Sequence, residues 1–315
     1  MIKTIFDMMP AIEKLRNDGI MRGQNTGFKN LDSLYSIKLG TFTIVYSEPT
    51  HGKSEFIFEM VLNQAKKYGQ RSLICSPETG SMEEIVAELV HKYSGKQMLK
   101  SSNFAIPDKE FYDVIAWLSE YFVFVDTDEK SYSIPNLFDY SKKWEKENKK
   151  KINIIVGEPY NELEHDMTGF GTRQDLYIES LMSYLRRSCK KENKHFFLSI
   201  HPASSIPVTK ENITYYPKPL PRQAAGGQAL FRKAMTWITL WRPPINLTGE
   251  NGSKYMAHEV QVFIDKAKPK GVATKGMCTL FFDWKKNRYY EVDAPFNYYA
   301  FEHEKGFKVL ETDLF

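Results

Sequence analysis

Cysteine is scarce in this chain. Cys75, Cys189 and Cys278 are far apart and odd in number. They fit neither a disulfide framework nor a zinc-ligand spacing, so a reducing compartment, the cytoplasm, is the default setting. Long apolar runs are also missing, and none approaches the roughly 20 residues that cross a bilayer. The N-terminus carries no apolar signal region, and Asp7 and Glu13 argue against a transit peptide. No internal repeat and no linker stands out between residues 20 and 310. A net charge of only +4 over 315 residues permits nucleic-acid binding without demanding it. A hydrophobic fraction of 42% is enough for a substantial core, and 26% charged residues exclude wholesale disorder.

One stretch organises the rest. Ser47-Glu48-Pro49-Thr50-His51-Gly52-Lys53-Ser54 follows the apolar run Thr41-Phe42-Thr43-Ile44-Val45-Tyr46 and precedes a helical pattern starting at Ser54. This is nearly G-x-x-x-x-G-K-[ST], the phosphate-binding loop, in its strand–loop–helix context. Backbone N–H groups at a helix start form an anion site. Lys53 supplies a point charge to the β- and γ-phosphates of ATP or another NTP, and Ser54 a hydroxyl to Mg²⁺. The pattern departs at its first position, where Ser47 stands for glycine; a mild turn strain is expected there.

Before the loop, Ile2, Ile5, Phe6, Met9, Ile12 and Leu15 form a helical stripe that Gly19 stops. Such a face packs either on its own domain or on a neighbouring subunit. After the loop, helical patterns over 55–68, 81–91, 109–121, 136–147 and 173–190 alternate with apolar strands at 72–76, 122–125, 152–156 and 195–200. Ser81 with Glu84 reads as a capping box. A Pro/Gly-rich stretch runs from Pro202 to Gly227, and connections this long are usually functional. Strands at 237–241, 258–264 and 277–283 and a hairpin-like 287–292 complete the pattern, and a short acidic-hydrophobic tail ends at Phe315. Strand–helix alternation predicts an α/β fold with a mostly parallel, doubly wound sheet. Its ligands belong at the carboxyl ends of the strands.

Each of those ends carries a polar residue: the loop, then Glu78, Glu158 and His201. An NTPase needs an acid for Mg²⁺ and a base that orients water. Glu158 and Glu78 suit these roles in that order, and His201 can donate to a γ-phosphate. On residue type alone, Glu78 also reads as a first-turn helix carboxylate, Glu158 as a solvent-facing loop acid and His201 as structural. Gly157 sets Glu158 one residue late.

Taken together, Thr26-Gly-Phe-x-x-Leu-Asp32, the phosphate loop, Ser76-Pro-Glu78, Ile155-Val-Gly-Glu-Pro-Tyr-Asn161, Ser199-Ile-His-Pro202 and Lys266-x-Lys268…Gly271 follow one order. In that order they resemble the motor domain of the DnaB-like (superfamily 4) replicative helicases, nearest the phage primase-helicase and Twinkle branches. The resemblance spans about residues 20–292. It implies a RecA-like P-loop NTPase fold with helices on both faces of the sheet and an N-terminal linker helix. It also implies a hexameric ring, ATP and Mg²⁺ sites between subunits, and single-stranded DNA in the channel. Lys53 and Ser54 then bind phosphates and Mg²⁺, Glu78 resembles the catalytic glutamate, Glu158 the magnesium-site aspartate and His201 the γ-phosphate sensor. Lys266 and Lys268 resemble the pair that reaches the neighbour's site, where Lys268 replaces the usual arginine and lacks its planar fork. Lys270 and Arg242 are alternative cations.

The 202–228 segment falls where the family contacts DNA, making Lys210, Lys218 and Arg222 DNA-binding candidates; the plainer reading is a solvated loop. Residues 1–19 become a linker and oligomerisation helix and 20–315 the ATPase domain. A separate primase, polymerase or loader is the expected partner, and the host cytoplasm the setting if the chain is phage-encoded. A RecA-like recombinase or loader ATPase without unwinding, and a weakly hydrolysing DNA-binding ring scaffold, are the rival readings.

Overall fold

The computed structural model describes residues 2–127 and 132–302. The acidic-hydrophobic tail read from the sequence therefore lies outside the described residues. In chain order the helices are α1 Met9–Asp18, α2 Lys29–Leu34, α3 Lys53–Tyr68, α4 Met82–Ser94, α5 Asp108–Tyr121, α6 Ile134–Asn148, α7 Gln174–Glu192 and α8 Gly227–Lys233. The strands are β1 Phe42–Tyr46, β2 Ser72–Cys75, β3 Phe122–Phe124, β4 Ile154–Gly157, β5 His195–Ile200, β6 Val208–Lys210, β7 Ile213–Tyr215, β8 Thr236–Trp241, β9 Glu259–Lys266, β10 Gly276–Asp283, β11 Arg288–Asp293 and β12 Phe296–Tyr299.

Ten strands form one sheet in the order β12-β11-β10-β9-β8-β1-β5-β4-β2-β3. The six strands from β8 to β3 are parallel, as the strand–helix alternation predicts. From β8 outward the pairing turns antiparallel. No helix separates those later strands, and antiparallel neighbours need no crossover helix.

The continuous apolar run of β1 is what a strand buried on both faces requires. Phe42, Ile44 and Tyr46 face one core with Leu181 and Leu185 of α7 and Leu137 and Phe138 of α6. Val45 faces the other with Phe56 and Met60 of α3 and Leu89 of α4. Helices thus cover both faces. The Ser81–Glu84 capping box is present: Ser81 N donates to Glu84 Oε2 at 2.8 Å, and Glu84 N to Ser81 Oγ at 3.4 Å.

The N-terminal stripe departs from one of its two readings. A short 3-10 turn, Phe6–Met8, leads into α1, and neither buries a residue. Ile2 is 98% exposed, Phe6 84% and Leu15 55%, so the stripe is not packed on its own domain. The 202–228 segment is more ordered than a plain loop. It contains the β6–β7 hairpin, a 3-10 turn at Pro221–Gln223 and the start of α8. Among the described residues, no helix is long and apolar enough to cross a membrane.

Candidate functional site

The phosphate loop runs from the end of β1 into α3, as the sequence requires. Gly52 sits at φ +86°, and a Cβ there would meet the Tyr289 hydroxyl at 2.8 Å. Tyr289 uses that hydroxyl to donate to the Gly52 carbonyl at 3.2 Å. Thr50 also lies in the left-handed region, at φ 62°. Ser47 does not, so the strain expected there is absent. Its hydroxyl donates instead to the Glu48 carbonyl at 2.8 Å.

Lys53 is buried, 6% exposed. Its ammonium reaches the Ser47 carbonyl at 3.3 Å, the Glu48 carbonyl at 3.2 Å and His201 Nδ1 at 2.9 Å. Burial brings it down to about 8, while Glu78, Glu158 and Glu48 oppose that shift. His201, directly after β5, spans Lys53 and Glu78. An ammonium only donates, so Nδ1 accepts, and the Nε2–H of a neutral ring donates to Glu78 Oε2 at 3.1 Å. Glu78 itself is 55% exposed, open to a water molecule or a partner.

Glu158 reaches this cluster despite its late position. Gly157 completes β4, where any Cβ would meet the Phe196 ring at 2.9 Å. An acid at that position would collide with the core, and the next residue is the one that turns to the site. Glu158 is 1% exposed, and Ser76 Oγ donates to its Oε1 at 3.0 Å. Burial raises it to about 7, opposed by the hydroxyls of Ser76 and Ser54 and the charge of Lys53. Its Oε2 is buried without a hydrogen-bond partner. An orphaned carboxylate oxygen beside Ser54 fits a hard cation or its bound water. The described residues hold no cluster of three or more His, Cys, Asp or Glu able to bind a metal alone. Phosphate oxygens would have to complete such a shell.

The remaining loop residue, His51, accepts from the Arg242 backbone N–H at 3.3 Å. Burial, then the charges of Arg242 and Lys53, lowers it to about 4, so it is neutral at physiological pH. Arg242 follows β8 and stands over the Phe282 ring at 5.9 Å. It lies beside this chain's own loop.

Lys266 and Lys268 lie elsewhere. β8 runs alongside β1, and Lys266 pairs with Trp237 near the start of β8, away from the loop. The Lys266 ammonium donates to the Phe231 and Arg232 carbonyls at 2.5 and 2.7 Å, closing the last turn of α8. Burial and the charge of Lys268 lower it to about 8. Lys268 is exposed. Neither reaches its own Lys53 site.

The three DNA candidates differ from one another. Lys218 is held by Asp265 at 2.8 Å and lies over the Phe263 ring at 3.9 Å. Lys210 donates to the Thr248 carbonyl at 2.8 Å but remains half exposed. Arg222 is exposed on the Pro221–Gln223 turn. Tyr289, more than 200 positions from the loop it supports, gave no sequence signal; Ser76 stood inside a quoted motif without a role.

No family model matches the chain. It is 27% identical over 212 residues to a curated protein, the chloroplastic/mitochondrial Twinkle homolog of Arabidopsis thaliana, covering 64% of this chain. The matched region spans only 28% of that relative's length. The fold matches the ATPase domain of G40P with a TM-score of 0.69 at 15% identity, over 93% of this chain and 100% of that one. It matches a DnaB-like replicative helicase, solved for its interactions with primase, with a TM-score of 0.66 at 15% identity, over 92% and 67%. The fold is therefore the RecA-like fold of DnaB-like helicase ATPase domains, and the resemblance read from the motifs is borne out.

Proposed function

We propose that the chain is an ATP-hydrolysing motor that translocates on single-stranded DNA as a homo-oligomeric, hexameric ring and unwinds duplex at a replication fork. The observation that carries this reading is the convergence of Lys53, Glu78, Glu158 and His201 at the ends of neighbouring parallel strands. Lys53 and the loop N–H groups hold the β- and γ-phosphates. Glu158 and Ser54 would hold Mg²⁺, which would supply charge neutralisation at the phosphates. Glu78, exposed at the mouth, orients the attacking water. His201 donates a hydrogen bond towards the γ-phosphate.

The exposed stripe of residues 2–18 supports a linker that docks on a neighbouring subunit, with 20–315 as the motor domain. Lys266 and Lys268, facing away from their own site, suit a role in the next subunit's site, with Lys268 the free-reaching member of the pair. Arg222 and Lys210 suit phosphate contacts in the channel, while Lys218 stiffens their segment through Asp265. A primase, polymerase or loader is the expected partner.

The decisive experiment pairs DNA-stimulated ATPase with strand displacement on a forked substrate. Stimulated hydrolysis with displacement supports the motor. Robust hydrolysis without displacement favours a recombinase or loader ATPase. DNA binding without hydrolysis favours a ring scaffold.

A further inference from the structure

Glu48 is an acid in the middle of an anion-binding loop, and it is 5% exposed. A carboxylate placed there opposes phosphate electrostatically, so its partner matters. That partner is the Ser205 hydroxyl, which donates to Glu48 Oε1 at 2.5 Å. Ser205 is half-buried while most of its neighbours are exposed. It lies just past the neck of a closed lobe. His201 O accepts from Ala225 N at 3.0 Å, Ala203 N donates to Gln223 O at 2.8 Å, and Pro202 pairs with Ala224. Residues 203–223 therefore form a lobe whose two limbs meet directly after His201. On its far limb, the Tyr46 hydroxyl donates to the Leu220 carbonyl at 3.2 Å.

We propose that the Ser205–Glu48 hydrogen bond is a latch by which phosphate occupancy of the loop sets the posture of the 203–223 lobe. The inference rests on the nucleotide-site reading above. Lys53 now leans on the Glu48 carbonyl and on His201. An incoming phosphate draws the ammonium away from both and places negative charge beside the Glu48 side chain. The phosphate thereby acts on the lobe at two points: at its neck through His201, and at Ser205 through Glu48. A hydroxyl donating to a buried carboxylate is a charge-assisted bond, strong enough to hold a surface lobe and weak enough for a ligand to release. Ser205 is a positioning residue and touches no phosphate.

The test is limited trypsin cleavage at Lys210 and Arg222, with and without Mg²⁺ and adenylyl imidodiphosphate, alongside a fluorescent-nucleotide binding assay. Wild-type cleavage should rise about tenfold on adding the analogue, the effect of releasing one charge-assisted hydrogen bond. Ser205→Ala should cleave near that raised rate without nucleotide and change less than about twofold on adding it. Its nucleotide affinity should stay within about threefold of wild type, its melting temperature should hold, and Ser205→Thr should restore the wild-type response. Identical responses in wild type and Ser205→Ala, or nucleotide binding with no change in wild-type cleavage, overturn the latch alone. A wild-type protein that binds no nucleotide overturns the nucleotide-site reading and the latch with it.

Discussion

Two sets of ionisable groups at opposite ends of the sheet show how differently one chain treats its charges. At the carboxyl ends of the parallel strands, Lys53 and Glu158 are almost fully buried, and both are pushed towards neutrality by burial. Their cost is offset by one another, by His201 and by the loop carbonyls. At the other end, Lys266 is spent closing α8 and Lys268 stands in solvent. The first set is organised within the chain and waits for a ligand. The second stands away from the chain's own phosphate loop, which suits the proposed role in a neighbouring copy. A site buried before its ligand arrives needs little reorganisation, which is how electrostatic catalysis gains its strength.

The comparison breaks most visibly at the buried end. Lys53→Ala should cut nucleotide hydrolysis by roughly 10³-fold or more, since it removes the main cation on the phosphates. Steady-state hydrolysis on a folded variant, checked by circular dichroism, measures this. Glu78→Gln should lower turnover by roughly 10²–10⁴-fold while leaving nucleotide affinity nearly unchanged. An unaltered basal rate would remove Glu78 from the catalytic role.

The exposed end should respond less, and in a different way. Lys268→Ala should cost about tenfold, short of what an arginine fork can supply. Mixing it with Lys53→Ala protomers should recover part of the lost activity, because some interfaces then combine two intact halves. If mixtures give only the average of the two variants, Lys268 does not act across subunits.

Proton linkage sharpens the contrast further. The folded Glu158 carboxyl titrates at about 7, above its ordinary value of 4.5. The folded state then holds the proton that the unfolded state has lost. This contribution to stability is complete below about 4.5 and is lost as pH rises through about 7. A divalent cation must displace that proton. Mg²⁺ affinity, by calorimetry with a nucleotide analogue, should therefore climb about tenfold per pH unit below 7 and level off above it. Glu158→Gln should flatten the profile.

Removing residues 2–18 should have the smallest effect on the folded monomer. None of the residues of α1 is buried, so the melting temperature should move by no more than a degree or two. The oligomer mass in solution should fall. An unchanged mass would show that the stripe is not a ring contact.

Much of this was legible along the chain. The loop was readable because a phosphate site needs a strand, a short run of N–H groups and a helix start in immediate succession. The parallel half of the sheet was readable for a similar reason: strands buried on both faces and amphipathic helices alternate with fixed periods. Ser81–Glu84 was readable because a capping box spans one turn. The strand-end residues Glu78, Glu158 and His201 followed from topology, since parallel strands deliver their ends to one edge.

Other features depended on contacts between distant segments. That Glu158, and not an acid at 157, stands beside Lys53 was decided by the Phe196 ring, which leaves room only for glycine at that position of β4. That Lys218 is held while Arg222 is exposed was decided by Asp265, 47 positions away. The support of Gly52 by Tyr289 joins residues 237 apart. Periodicity and motif spacing report what a segment does within a few residues of itself. They carry no information about which distant side chain fills the space beside it, and that is what only the packed structure supplies.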